Sequence, residues 1–305
     1  MVVGAVEAAA AVAALFGAWG LCLVVVCLGQ DRLIFGRPRS VRKWAEGPYQ
    51  GYVTESIELL ASDGVRLRGW LTSTSAQVRN AVVWFPGRNE NIGWVRGLAG
   101  WLGPEWAVLA FDYRGLGRSE GRPSEAECVK DGVQIVDWTS RQLGVPKDQV
   151  VIVGRSLGSC IGVQVAAGTE VAGVCLIAPP ASVAELVKRN ALLKPARRWL
   201  RHPFESVRHA PQVHRQALVL LAERDRKVPH EHSRRLAEAL GTGAGSASGP
   251  CRVVTVAGTN HCNIGRQAHC LHEIAGFATR AVARGKQAER PDGQGQNKAS
   301  FCEAA

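Results

Sequence analysis

Val150-Val151-Ile152-Val153, followed at once by Gly154-Arg155-Ser156-Leu157-Gly158, constrains this chain more than any other stretch. Four consecutive β-branched residues predict a short strand buried on both faces. The small and apolar run over 159–167 predicts a helix directly after the turn. A strand that becomes a helix within five residues leaves no room for a Cβ two positions either side of the serine, so 154 and 158 require glycine. Ser156 is then held at the strand tip, above a helix start whose dipole stabilises negative charge. With 34 glycines in 305 residues, a G-x-S-x-G pentapeptide can arise by chance, so the surrounding chain must supply its context.

That context is an alternation of strands and helices. Short apolar runs predict strands over 56–60, 65–71, 81–85, 107–111, 173–177, 217–221 and 252–256, besides the one at 150–153. Asp63-Gly64 between the first two marks a hairpin. Helical patterns fall over 91–101, 124–143, 230–240 and 264–283, the second opened by Ser124 with Glu125 and Glu127 in its first turn. Strands alternating with helices predict an α/β fold, a mostly parallel sheet covered on both faces. A Gly/Ser loop over 242–250 and a polar tail over 285–305, expected to be disordered, punctuate the pattern.

Residues 8–28 carry no charge, and basic residues (Arg32, Arg37, Arg39, Arg42, Lys43) follow rather than precede them. The length suits a membrane-spanning helix, and the basic residues behind it place the remainder on the cytoplasmic face. A cleaved signal peptide or a buried hairpin is the alternative, although a signal peptide has its basic residues in front. The net charge of 37 − 26 = +11 favours an anionic partner. No zinc-finger spacing or basic stretch interleaved with aromatics points to nucleic acid, which leaves an anionic membrane surface. Nine cysteines, odd in number and scattered through core segments, suggest free thiols.

Two further residues follow strands at the end of the sheet where the serine sits. Asp225 lies after the strand at 217–221 and His261 after the strand at 252–256, so the chain order is Ser156, Asp225, His261. Serine is a weak nucleophile until a base takes its proton, and the histidine needs a carboxylate to fix its tautomer. Glu223, two residues nearer the strand, is the competing carboxylate. His261, Cys262, His269, Cys270 and His272 resemble metal ligands, but 269–272 fall on a predicted helix and no C-x-x-C pair exists. Gly115-Leu116-Gly117 lacks the third glycine and the lysine of a phosphate-binding loop. Neither a metal nor another cofactor is expected.

From about residue 30 to about residue 283 the chain resembles the alpha/beta-hydrolase superfamily, and within it the membrane-anchored, serine-aminopeptidase-like and depalmitoylase-like branches. The resemblance rests on Gln30-Asp31-Arg32-Leu33-Ile34-Phe35, Pro86-Gly87 with Asn91-Ile92-Gly93, Asp112-Tyr113-Arg114-Gly115 through Gly121-Arg122-Pro123-Ser124-Glu125, the elbow over 154–158, Asp225 with Val228-Pro229, and Gly258-Thr259-Asn260-His261. It implies an eight-stranded alpha/beta-hydrolase fold with a short lid insertion. It also implies an oxyanion hole made by the backbone amides of Leu157 and Arg88. Relatives usually carry His-Gly-Asn where this chain has Pro86-Gly87-Arg88, and often Gly and Ala in place of Ser159 and Cys160. Backbone donors survive such side-chain changes.

The organisation expected is therefore an anchor over 1–30, a basic juxtamembrane linker over 31–49, a hydrolase domain over 50–284 with a lid at about 181–216, and the tail. The function expected is a membrane-anchored serine hydrolase cleaving acyl esters or thioesters of lipid or lipidated-protein type, with Ser156, His261 and Asp225 as its triad. A serine peptidase or amidase, or a non-catalytic hydrolase-fold membrane module, is the alternative. The sequence leaves the oligomeric state open.

Overall fold

Strands whose residues are nearly all apolar pair in the middle of the sheet, where both faces are covered. The computed structural model describes residues 2–36, 47–49, 51–74, 77–189, 191–242 and 251–288. Its strands are β1 (Gly47–Tyr49), β2 (Tyr52–Leu60), β3 (Arg66–Ser73), β4 (Asn80–Phe85), β5 (Trp106–Phe111), β6 (Val150–Arg155), β7 (Gly173–Ile177), β8 (Gln216–Ala222) and β9 (Arg252–Val256). They form one sheet in the order β1-β2-β3-β5-β4-β6-β7-β8-β9. The hairpin strands and β5 pair antiparallel, and every pair from β5 and β4 to β9 is parallel. The eight expected strands are all present. A ninth, the three-residue β1, extends the edge and was concealed in sequence by Pro48, a residue at home on sheet edges.

The helices are α1 (Val2–Leu28), α2 (Gln30–Ile34), α3 (Ala99–Leu102), α4 (Glu125–Leu143), α5 (Leu157–Ala167), α6 (Val183–Lys188), α7 (Ser206–His209), α8 (His230–Gly241) and α9 (Ala268–Ala288), of which α4, α5 and α8 cover one face of the sheet and α3 and α9 the other. Successive strand residues point to opposite faces. Phe85 and Ile152 thus join Ile161 and Leu236 in one core layer, whereas their neighbours Trp84 and Val153 join Ile274 and Phe277 in the other. The Ser124 hydroxyl accepts the Glu127 amide at 3.2 Å, and Gly144 closes α4 with φ at 63°. The helix expected over 91–101 is instead a 3-10 segment (Ile92–Leu98) running into α3, because Gly93 and Gly97 weaken α-helix there.

Chain direction across the sheet reverses at β4, which has β5 on one side and β6 on the other. In such sheets the crevice lies beyond the carboxyl ends of the strands flanking the reversal. Those ends carry the Pro86-Gly87-Arg88 loop and Ser156.

Only the first residues of the linker expected over 31–49, and its last three, fall among the described residues. Residues 30–36 belong to the folded body: Phe35 is fully buried, edge-on to His202 and Phe204 at centroid distances of 5.3 and 5.9 Å. Phe35 drives this burial with Ile34 partly buried against the same core, a signal hidden among the surrounding charges. Arg37, Arg39, Arg42 and Lys43 lie outside the described residues, as do the Gly/Ser loop from 243 to 250 and the tail from 289. The boundary at 284 also moves, because α9 continues to Ala288. α1 is 27 residues, about 40 Å at 1.5 Å per residue. Its stretch Ala10–Leu28 is long and apolar enough to cross a membrane and is almost wholly unburied.

Candidate active site

The elbow is built by exclusion of side chains. A Cβ on Gly154 would lie 2.5 Å from the Gly158 carbonyl, and one on Gly158 would overlap the Phe85 carbonyl. Between them Ser156 takes φ 50°, a conformation that costs a non-glycine residue on the order of 1–3 kcal/mol. Its amide donates to the Ile177 carbonyl at 2.9 Å, which ties the strained residue to β7.

The structure brings Ser156, His261 and Asp225 together. Asp225 Oδ1 accepts the amides of Lys227 and Val228 at 2.9 and 2.8 Å, leaving Oδ2 for His261 Nδ1 at 2.7 Å. Burial pushes the Asp225 carboxyl up, but the hydrogen bond from His261 and those backbone amides outweigh it and hold it below the usual carboxylate range. An ionised carboxylate only accepts, so the proton sits on Nδ1 and Nε2 is left to accept from Ser156 Oγ at 2.9 Å. Glu223, the competing carboxylate, turns away and accepts the Gly258 amide at 2.9 Å.

Leu157 opens α5, where an amide has no partner within the helix. Leu157, Arg88 and Ser156 all line the same cavity. Pro86 does not leave the loop bearing Arg88 loose. Burial pushes the Tyr113 phenol far up, so it stays protonated and donates to the Pro86 carbonyl at 2.8 Å. Glu90 accepts the Gly87 amide and pairs with Arg155 Nη1 at 3.3 Å. Arg155 Nη2 in turn donates to the carbonyl of His261 at 2.7 Å. Sequence reasoning missed Tyr113, Glu90 and Arg155. The available signal was a charged residue, Arg155, lodged between a buried strand and the elbow serine.

Two cavities meet at Ser156. One, of about 320 Å³, is apolar and is walled by Leu186, Leu193 and Trp199 of the lid and by Cys27, Leu33 and Ile34 of α1 and α2. The lid is held to those helices by polar contacts. Trp19 Nε1 donates to the Leu192 carbonyl at 3.1 Å, and Gln30 both donates to the Trp199 carbonyl and accepts the Arg201 amide, at 3.2 and 2.6 Å. Asp31 lies 3.0 Å from both Arg201 and His202. The second cavity, of about 470 Å³, is polar and includes His261 on its wall. Among the described residues, no group of three or more His, Cys, Asp or Glu side chains is arranged to hold a metal ion.

Comparison with known proteins agrees with this architecture. The family model for serine aminopeptidase, S33, matches residues 76–212, and that for TAP-like protein matches residues 189–278. An uncharacterized protein of Mycobacterium tuberculosis is 34% identical over 201 residues, covering 65% of this chain and 69% of the relative. The alpha/beta hydrolase domain-containing protein WAV2 of Arabidopsis thaliana is 32% identical over 115 residues, 36% of this chain and 37% of its own. Among solved structures, the Pyrococcus furiosus esterase Pf2001 superposes with a TM-score of 0.61 at 16% identity, covering 80% of this chain and 99% of the esterase. Matching family models, a relative that aligns over 65% of the chain, and a sheet whose strand order reverses at β4, beside the elbow strand, all lead to one assignment: the chain belongs to the alpha/beta-hydrolase superfamily.

Proposed function

We propose that this protein is a membrane-anchored serine hydrolase that cleaves acyl esters or thioesters of lipid or lipidated-protein type. The observation that carries the reading is the hydroxyl–imidazole–carboxylate chain of Ser156, His261 and Asp225 opening onto an apolar cavity of about 320 Å³. His261 takes the Ser156 proton as Oγ attacks the acyl carbon. The oxyanion is held by the amides of Leu157 and Arg88. His261 then protonates the departing alkoxide or thiolate as its bond to the acyl carbon breaks. Water attacks the acyl-enzyme, His261 accepts its proton and returns it to Ser156, and the fatty acid leaves.

The wall of the acyl cavity supports a bilayer source for the substrate. It is shared between the lid and the helix that is long enough to span a membrane, so an acyl chain can pass from the lipid into the site along α1. Leu192 and Trp199 are exposed beside Arg197 and Arg198 on the lid, the combination that rests on anionic headgroups. The basic residues that follow α1 support a cytoplasmic orientation for the domain. Similarity to serine aminopeptidases favours amide chemistry, and similarity to the Pyrococcus furiosus esterase favours ester chemistry. The apolar lining of the cavity at Ser156 supports acyl chains.

The test is kcat/KM of the full-length protein in neutral detergent toward p-nitrophenyl esters of four to twelve carbons, with aminoacyl anilides alongside. The acyl reading predicts a rise with chain length as each buried methylene contributes about 0.8 kcal/mol, and little anilide cleavage. Faster anilide cleavage, or indifference to chain length, would overturn it.

A further inference from the structure

The polar cavity, which shares Arg88, Ser156 and Leu186 with the apolar one, is predominantly cationic. Four cations line it, Arg88, Arg155, Lys227 and Arg266, with Glu90 as their only carboxylate. Arg155 is spent on Glu90 and on the carbonyls of His261 and Cys262. Arg88, Lys227 and Arg266 have no carboxylate within 4.0 Å among the described residues, and all three are exposed to the cavity's solvent. Arg266 is steadied by its guanidinium lying 5.4 Å from the centre of the Trp94 ring. Unpaired cations converging on a concave wall raise the local concentration of anions.

Resting on the acyl-hydrolase reading, we propose that this cavity receives the leaving half of the substrate and that this half carries a phosphate. The acyl chain occupies the apolar cavity, the scissile carbonyl sits at Ser156, and the phosphate lies among Arg88, Lys227 and Arg266. Three cations match a dianion better than a single carboxylate, and arginine pairs with phosphate through parallel hydrogen bonds. The acyl–oxygen or acyl–sulfur bond breaks with the proton from His261 going to the phosphate-bearing alcohol or thiol, which leaves with its phosphate intact. Two sources offer that chemistry, a monoacyl glycerophosphate from the bilayer and a soluble acyl thioester of a phosphate-bearing thiol.

Binding separates the subsite from catalysis. Full-length Ser156→Ala protein in neutral detergent micelles is titrated with 1-dodecanoylglycerol 3-phosphate against 1-dodecanoylglycerol, and with dodecanoyl coenzyme A against dodecanoyl pantetheine. The phosphate-bearing partner of at least one pair should bind about tenfold tighter or more. Preference in the first pair alone marks a lipid substrate, and in the second alone a soluble thioester. Adding Lys227→Gln/Arg266→Gln should bring the preference below about threefold while dodecanoylglycerol still binds. Arg234→Gln/Arg280→Gln, which removes the same charge outside the cavity, should keep the preference. No preference in either pair, or equal loss in both double variants, would overturn the proposal. Wild-type hydrolysis measured in parallel bears on the parent reading alone: phosphate preference without turnover leaves a binding subsite and removes the hydrolase.

Discussion

Arg155 Nη2 donates to the main-chain carbonyl of His261 at 2.7 Å, and its Nη1 lies 3.3 Å from Glu90. One side chain next to Ser156 therefore couples the loop that carries Arg88 to the loop that carries His261. Arg155→Met should lower kcat about 100-fold with a smaller change in KM, because a misplacement of about 1 Å at the reacting centre costs that much. Arg155→Lys, which cannot reach both partners, should recover only part of the loss. Equal kcat in wild type and Arg155→Met, with both folded by circular dichroism, would remove the positioning role.

Asp225 and Glu223 can be separated in the same way. Asp225→Asn should lower kcat by about 10³- to 10⁴-fold, since the amide leaves His261 in the wrong tautomer or unsupported. Glu223→Gln should stay within about twofold of wild type, because its carboxylate serves the Gly258 amide. Steady-state rates on one chromogenic ester decide between them.

Asp112 predicts a pH dependence of stability. Burial pushes its carboxyl up to about 6, despite the Arg118 amide and the Arg118 charge. Between the unfolded value near 3.8 and about 6 the folded protein holds a proton that the unfolded chain has lost. Stability from this group is therefore full below pH 4 and falls as pH rises through 6. Above that, the ionised buried carboxylate is a penalty on the order of 3 kcal/mol. Asp112→Asn should raise the unfolding free energy, and by about 1 kcal/mol more at pH 8 than at pH 5. Denaturant titrations at the two pH values measure the difference.

Cys27 and Cys262 report on the two cavities, since Cys27 lines the apolar one and Cys262 the polar one. A dodecyl fluorophosphonate bound at Ser156 should slow N-ethylmaleimide modification of Cys27 at least about fivefold and leave Cys262 within twofold, an ethyl analogue protecting neither. Peptide mass mapping gives both rates at once. Protection of Cys262 instead of Cys27 would exchange the assignments of the cavities.

Much of the fold is legible in sequence because the parallel strands are continuous apolar runs, and β7 and β9 fall on their expected residues. The elbow is legible for a different reason: tight packing between β6, α5 and the Phe85 carbonyl admits only glycine at two fixed offsets. Asp225 and His261 could be placed because they follow strands. Their distances could not, since these depend on how β8 and β9 align. What sequence concealed is long-range and polar. Nothing local in Gln30 or Asp31 shows that they clasp residues 199–202, or that α1 and α2 wall the apolar cavity. Deleting residues 1–36 therefore removes Phe35 from the core along with the apolar helix α1.

The most direct measurement is intact-mass and peptide-mapping analysis of full-length protein treated with a long-chain fluorophosphonate. One adduct on Ser156, absent in Ser156→Ala and at least about 100-fold slower in His261→Gln, is the predicted result. No adduct on folded wild-type protein, or equal labelling of Ser156→Ala, would contradict the assignment of Ser156 as the nucleophile.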